Sequence, residues 1–158
     1  MKSQNEIVKT VKNMLLHANA HITFNDSVKG LSIHDCAKTP DNLPYNIWQL
    51  VEHIRLTQLD ILNFCRNKDY VEPTWPDDYW PEKKAPENAA ELKHSISSVD
   101  HDLHEFIKLI EAPDADLFAP IPKGTGQHLF REAILIMDHT GYHTAEIVVI
   151  RRLLGIWN

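Results

Sequence analysis

All nine prolines of this chain fall in three clusters: Pro40 and Pro44; Pro73, Pro76, Pro81 and Pro86; and Pro113, Pro120 and Pro122. A proline inside a helix removes a hydrogen bond and clashes with the turn before it, at a cost of about 3 kcal/mol or more. The clusters therefore divide the chain into four uninterrupted blocks. Each block carries apolar residues at a spacing near 3.6, with no sustained alternation of period two, so each predicts a helix.

The first block runs from about Ser3 to Ala18, with Ser3 and Glu6 as a capping box and Ile7, Val11, Met14, Leu15 and Ala18 as its apolar stripe. The second runs from about Pro44 to Asn67, with Pro44 in the tolerated first turn. The third runs from about Asn88 to Glu111. Its stripe of Leu92, Ile96, Val99, Leu103, Phe106 and Ile110 alternates steps of four and three, and Asn88 with Glu91 marks its start. The fourth runs from about Gln127 to Leu154 and ends at Gly155, a residue type suited to the turn after a helix.

Four such helices predict an all-α fold, a four-helix bundle forming a single domain over residues 1–158. The connections are long, about 25, 20 and 15 residues against the usual 2–8. The first is expected to contain a short helix near Phe24 to Leu31. The second is long enough to cross the length of the bundle, so the pattern alone does not dictate simple up-down topology. Long connections at one end could also roof a pocket.

Composition sets the class. Apolar residues make up 43% and charged residues 24%, as expected for a globular protein with its own core. Net charge is −6, and the basic runs are no longer than Lys83-Lys84 and Arg151-Arg152, which argues against nucleic acid as a partner. Cys36 and Cys65 have no metal-ribbon spacing. Met1 to Lys12 lacks the apolar core of a secretory signal, and no apolar stretch reaches membrane-spanning length. A reducing cytoplasm is the expected compartment.

Ten histidines in 158 residues make histidine spacing weak evidence, since chance alone gives about 0.6 pairs at i, i+4. Environment must separate the two pairs present. His139 and His143 share a helical face with Leu129, Ile136, Ile147, Ile150 and Leu154, the apolar stripe of the fourth block. Imidazoles on a buried face are costly unless their nitrogens find partners. A shared metal is one solution, and hydrogen bonds from two neutral rings to backbone or water are the other. His17 and His21 lie where the first helix ends and read as a solvated terminus or a pocket rim. His94, His101 and His104 fall off the seam of the third helix and read as surface. His34 and His128 lie in or near loops. His53 sits on a polar line with Asn46, Gln49, Thr57 and Asp60, either an exposed face or the lining of a wet pocket.

Several stretches, in order, resemble the DinB/YfiT-like superfamily of metal-dependent enzymes. Asn46-Ile47-Trp48-Gln49-Leu50-Val51-Glu52-His53-Ile54 resembles its first histidine motif. Trp75-Pro76-Asp77-Asp78-Tyr79-Trp80-Pro81 resembles its aromatic-proline crossover. Asp138-His139-Thr140-Gly141-Tyr142-His143-Thr144-Ala145-Glu146-Ile147, followed by Arg151-Arg152-Leu153-Leu154-Gly155, resembles its final motif. The resemblance covers the chain from about Leu15 onward. It implies an up-down-down-up four-helix bundle with long crossover loops, a homodimer, and a metal held by His53, His139 and His143. One position departs from the family pattern: the small-Gln pair after the last histidine is Ala145-Glu146. Ala145 keeps the small packing role, while Glu146 either orients a ligand or faces solvent.

Three neutral imidazoles suit zinc, nickel or ferrous iron and leave at least one coordination position open. The resemblance implies a metal-activated thiol or water nucleophile acting on a small-molecule substrate. Its most concrete form is transfer of a low-molecular-weight thiol such as bacillithiol to an electrophile. The competing readings are a metal-dependent hydrolase and a non-catalytic, stress-related protein that binds metal or ligand. No general base is assigned: Glu52, Asp60 and Glu132 lie near the histidines in sequence or on the helical wheel, and each reads more readily as structural. Tyr142 reads as packing or as support for a ligand. Trp75, Tyr79 and Trp80 either wall a substrate pocket or pack the crossover.

Overall fold

Each proline-free block forms one long α-helix, and two short helices lie in the first connection. The computed structural model describes residues 2–17 and 19–157, the side chains of Lys2 and Ser3 excepted. Its elements are α1 (Lys2–Leu16), α2 (Phe24–Val28), α3 (Ile33–Ala37), α4 (Ile47–Arg66), a 3-10 turn (Asp77–Tyr79), α5 (Ala89–Glu111) and α6 (Leu129–Leu153). The Ser3 side chain expected to cap α1, and Ala18 of its expected stripe, lie outside the described residues.

The expectation of a four-helix, up-down-down-up bundle is corrected by this arrangement. The fold is all-α, but the described residues form six helices, four long and two short, with packing that involves the short elements directly. Helix α4 packs against α5, α6, α3 and the 3-10 turn, while α6 also packs against α1 and α2. The cause lies in the connections. They carry Phe24, Val28, Cys36 and Tyr79, all buried, and so must fold onto the long helices to remove that apolar surface from water.

Local chemistry sets the ends. Helix α4 begins at Ile47 and not at Pro44, because Asn46 is its cap: the Asn46 side chain accepts the Gln49 amide, and the Gln49 side chain accepts the Asn46 amide. The buried Asn46 amide group also donates to the carbonyls of Ala37 (3.3 Å) and Lys84 (2.8 Å), tying both flanking connections to the start of α4. Asn88 caps α5 through the Glu91 amide, as its position in the sequence predicts. His128 caps α6, its Nδ1 accepting the Arg131 amide at 3.2 Å. Gly155 follows α6 with φ 69°, a left-handed conformation that glycine adopts at little cost.

The buried side chains gather in two clusters along α4. Trp48, Leu50, Val51 and Ile54 pack with Phe24, Val28, Leu92, Val99, Ile147 and Ile150. One to two turns further on, Ile61 and Leu62 pack with Val11, Phe106, Ile110, Leu117, Ala133 and Ile136. The α5 stripe supplies both clusters. On α1, Val11 is buried but Met14 is 47% exposed, so that stripe is narrower than its spacing predicts. No described helix is long and apolar enough to cross a membrane.

Candidate metal centre

The histidine pair of α6 meets His53 of α4. Each of His53, His139 and His143 offers one nitrogen, and these three atoms lie within 4.8 Å of one another. The ring centroids are 4.5 to 4.8 Å apart. His53 and His143 are buried, at 2% and 8% exposure, and His139 is half-buried. The i, i+4 spacing brings His139 and His143 to one face. The α4–α6 packing brings that face to His53.

The hydrogen bonds define which nitrogens remain free. His53 Nδ1 lies 2.7 Å from the Tyr79 carbonyl oxygen. A carbonyl only accepts, so Nδ1 carries the proton and donates, which leaves a lone pair on Nε2 of the neutral ring. That Nε2 is 3.1 Å from Nε2 of His139. His143 Nδ1 lies 2.6 Å from Glu146 Oε2, donating to the carboxylate and freeing its own Nε2. The other oxygen, Glu146 Oε1, accepts the Tyr45 hydroxyl. Glu146 thus takes the orienting role and not the solvent-facing one, the carboxylate–histidine arrangement common at metal sites.

Aromatic groups enclose His53. Trp80 stacks on its ring, with centroids 4.0 Å apart and planes 5° apart, and Tyr45 stacks on Trp80. The polar line of Asn46, His53 and Asp60 is therefore covered by the aromatic-proline crossover. Asp60 holds the cover down, accepting the hydroxyls of Tyr70 and Tyr79 at 2.8 Å each. Trp75 stands 68% exposed with its ring 6.4 Å from that of His53. Tyr79 and Trp80 therefore pack, while Trp75 borders open space. Tyr142 is 64% exposed, edge-on to His143. It is surface beside the centre, not interior packing. Ala145 is exposed and does not fill a packing role.

Burial keeps His53 and His139 in their ligating form. It pushes the His139 pKa down to about 3, with His143 and His53 adding to the effect. Burial also lowers that of His53, partly offset by the Tyr79 carbonyl. Both rings are neutral at pH 7, as a metal ligand must be. Two nitrogens bound to one tetrahedral zinc ion at about 2.05 Å lie about 3.3 Å apart. The 3.1 Å between His53 and His139 is close to that value. With all three nitrogens within 4.8 Å of one another, the donor set could hold a divalent transition metal.

The remaining sequence candidates fall elsewhere. Glu52 pairs with Arg55 at 2.8 Å, and Glu132, 1% exposed, accepts Arg131 at 2.8 Å. With Asp60 bound to its two tyrosines, none of these carboxylates hydrogen-bonds a histidine of the cluster. His94, His101, His104 and His34 are exposed. His17 and His21 are exposed and line a cavity among α1, α2, α5 and α6. Cys36 and Cys65 are both free, and burial raises each thiol to about 12, so neither supplies a thiolate at neutral pH. Tyr45 and the Tyr79 carbonyl were not identified from sequence. Tyr45 precedes the cap of α4, but a phenol 101 residues from Glu146 carries no local spacing signal, and neither does a backbone carbonyl.

Compared with protein-family models, curated proteins and solved structures, the chain matches none of them. Fold and site define an all-α protein with a clustered three-histidine centre able to hold a metal ion. No homology ties it to the DinB/YfiT-like superfamily in particular.

Proposed function

We propose that this protein is a metalloenzyme of DinB/YfiT-like type, in which His53, His139 and His143 hold a divalent metal (zinc, nickel or iron) and activate a nucleophile against a small-molecule substrate. The observation that carries the reading is the convergence of three imidazoles, two of which have their Nδ1 protons tied to acceptors. Such a pattern presents Nε2 lone pairs inward. A metal held there supplies the lowered pKa that turns water or a thiol into a nucleophile near neutral pH. The most concrete form is S-transfer from a low-molecular-weight thiol. The thiol loses its proton to solvent, its sulfur forms a bond to an electrophilic carbon, and the leaving group departs from that carbon with its electron pair.

The protein's own residues have defined tasks in this reading. Tyr79 and Glu146 fix the tautomers of His53 and His143. Burial raises the Tyr45 pKa to about 12, with Glu146 adding to the shift, so its hydroxyl stays protonated and steadies Glu146. Trp80 excludes water from one face of His53. Trp75 and Tyr142 offer exposed aromatic surface beside the centre for the apolar part of a substrate. The absence of a reactive thiolate among the described cysteines agrees with a thiol supplied as cosubstrate. The reading carries with it one domain over residues 1–158, a homodimer and a cytoplasmic location.

The test begins with metal. Tag-free protein, His53→Ala and His143→Ala are analysed for bound elements, before and after reconstitution with zinc, nickel and ferrous iron. Near-stoichiometric metal in the wild type, lost in both variants, is expected. Turnover of model electrophiles only with added thiol then supports transferase chemistry, and turnover without thiol supports hydrolysis. Metal without any turnover favours the sequestration reading. A wild type that stays metal-free after reconstitution overturns the proposal.

A further inference from the structure

Helix α6 carries apolar residues on every face, the one turned to water included. Four of the nine large apolar side chains exposed among the described residues lie on it: Ile134, Tyr142, Val149 and Leu153. A helix that is apolar all round is ordinarily covered all round. Ala133, Ile136, Ile147 and Ile150 account for one face, buried where α6 packs on α1, α2 and α4. The opposite face is open.

The charges of α6 define what fits that face. Six of its residues are charged. Arg131 binds Glu132, Glu146 binds His143 and Tyr45, and Arg151 donates to the carbonyls of Ser27 and Ile156. Asp138 and Arg152 are exposed and have no side-chain partner among the described residues. They stand seven residues before and seven residues after Ala145, itself exposed. A step of seven residues returns to within about 20° of its starting direction on a helix. Asp138, Ala145 and Arg152 therefore share one line. A surface whose unpaired acid and unpaired base lie at equal distances from its centre is complementary to itself.

We propose that this face pairs with the same face of a second copy of the chain, the two α6 helices running antiparallel and crossing at Ala145. A two-fold axis there sets Asp138 of each chain level with Arg152 of the partner subunit, which forms two equivalent ion pairs. A parallel arrangement instead sets Asp138 beside Asp138 and Arg152 beside Arg152, and these repel. The small side chain of Ala145 lets the helices approach closely at the crossing. Tyr142 and Val149 lie to one side of the line, about 60° and 40° from Ala145 at 3.6 residues per turn. Tyr142 therefore meets Val149 of the partner subunit. Ile134 and Leu153 extend the apolar contact toward the helix ends. The Tyr142 ring is edge-on to His143, with centroids 4.9 Å apart, so the partner subunit walls the histidine cluster on that side. The use of that wall rests on the function proposed above, whereas the pairing itself needs no metal.

Sedimentation of tag-free, chelator-treated protein from low to high micromolar concentration tests the face, with circular dichroism checking the fold of each variant. The wild type is expected to dimerise. Asp138→Arg and Arg152→Asp each replace two attractions by two repulsions, and each is expected to weaken the dimer at least about tenfold. The double variant D138R/R152D restores opposite charges and is expected to recover the dimer to within about threefold of wild type. Ala145→Cys brings two thiols together at the axis and is expected to give a disulfide-linked dimer under mild oxidation. A wild type that stays monomeric throughout overturns the proposal. So does a dimer that both single reversals leave unchanged, that the double variant fails to recover, or that Ala145→Cys fails to cross-link. Metal content is measured separately. A metal-free protein with these responses upholds the face while the metal centre fails, and a metal-loaded monomer overturns the face while the metal centre stands.

Discussion

Replacing Glu146 by glutamine keeps the size of the side chain and removes the charge that holds His143. In the native protein Glu146 takes two donors, His143 Nδ1 at 2.6 Å on one oxygen and the Tyr45 hydroxyl on the other. The His143 and Glu146 side chains are 10% and 21% exposed, so water replaces these bonds only in part. Glutamine offers one carbonyl to two donors and turns an NH2 group toward the other. A hydrogen bond to a charged partner is worth about 1.5–3 kcal/mol and a neutral one about 0.5–1.5. Loss of an outer partner of a metal-bound histidine typically costs about 10–100-fold in affinity, or about 1.4–2.7 kcal/mol. The two ranges agree, and E146Q is expected to weaken zinc within them. The assay is competition for zinc against a chromophoric chelator at neutral pH, with circular dichroism confirming the fold. Tyr45→Phe keeps the carboxylate and is expected to weaken zinc by less. Zinc affinity of E146Q within about threefold of wild type, with the fold intact, would refute the reasoning: α6 alone would then be enough to orient His143.

The other predictions concern the cover, the acid limit and the core. Asp60→Asn loosens the anchor of Tyr70 and Tyr79, and through the Tyr79 carbonyl it loosens His53. Hydrogen exchange is expected to accelerate across Asp77–Tyr79, together with weaker zinc retention. In metal-free protein the folded-state pKa of His139 is about 3 against an ordinary 6.5. Below pH 6.5 the unfolded chain takes up a proton that the folded chain refuses, so stability falls as pH drops from 6.5 toward 3. The slope from this one group is at most about 1.4 kcal/mol per pH unit. Urea unfolding of chelator-treated protein measures it, and His139→Gln is expected to flatten the curve between pH 6.5 and 5. Phe106 is fully buried, so Phe106→Ala is expected to cost about 3–5 kcal/mol in the same unfolding assay. Burial raises the Asp102 pKa, which means that its ionised form opposes folding at neutral pH. Asp102→Asn is expected to raise the melting temperature at pH 7, with the gain disappearing in acid.

The local content of the sequence was largely readable. The proline clusters placed the four long helices because the penalty for proline in a helix acts within one turn. Asn88 with Glu91 marked the start of α5 because a cap spans three residues. Helical periodicity also put His139 and His143 on one face. Where a local rule met a competing local group it failed: Asn46 caps α4, so Pro44 remains outside the helix. Of the short helices, α2 falls within the stretch expected near Phe24 to Leu31, while α3 went unread because five residues carry too little periodicity. The simple bundle failed for the same reason, since those segments take up packing positions on the long helices.

The sequence by itself therefore determined the all-α class, the positions of the long helices and the pairing of His139 with His143, all properties of residues within a few turns of one another. Only the tertiary structure decided that Tyr79, 26 residues from His53, offers it a carbonyl, and that Glu146 faces Tyr45 and His143. It alone left Asp138 and Arg152 exposed and without partners on α6. These depend on how remote segments meet, and a backbone carbonyl or a missing partner has no residue type or spacing to announce it.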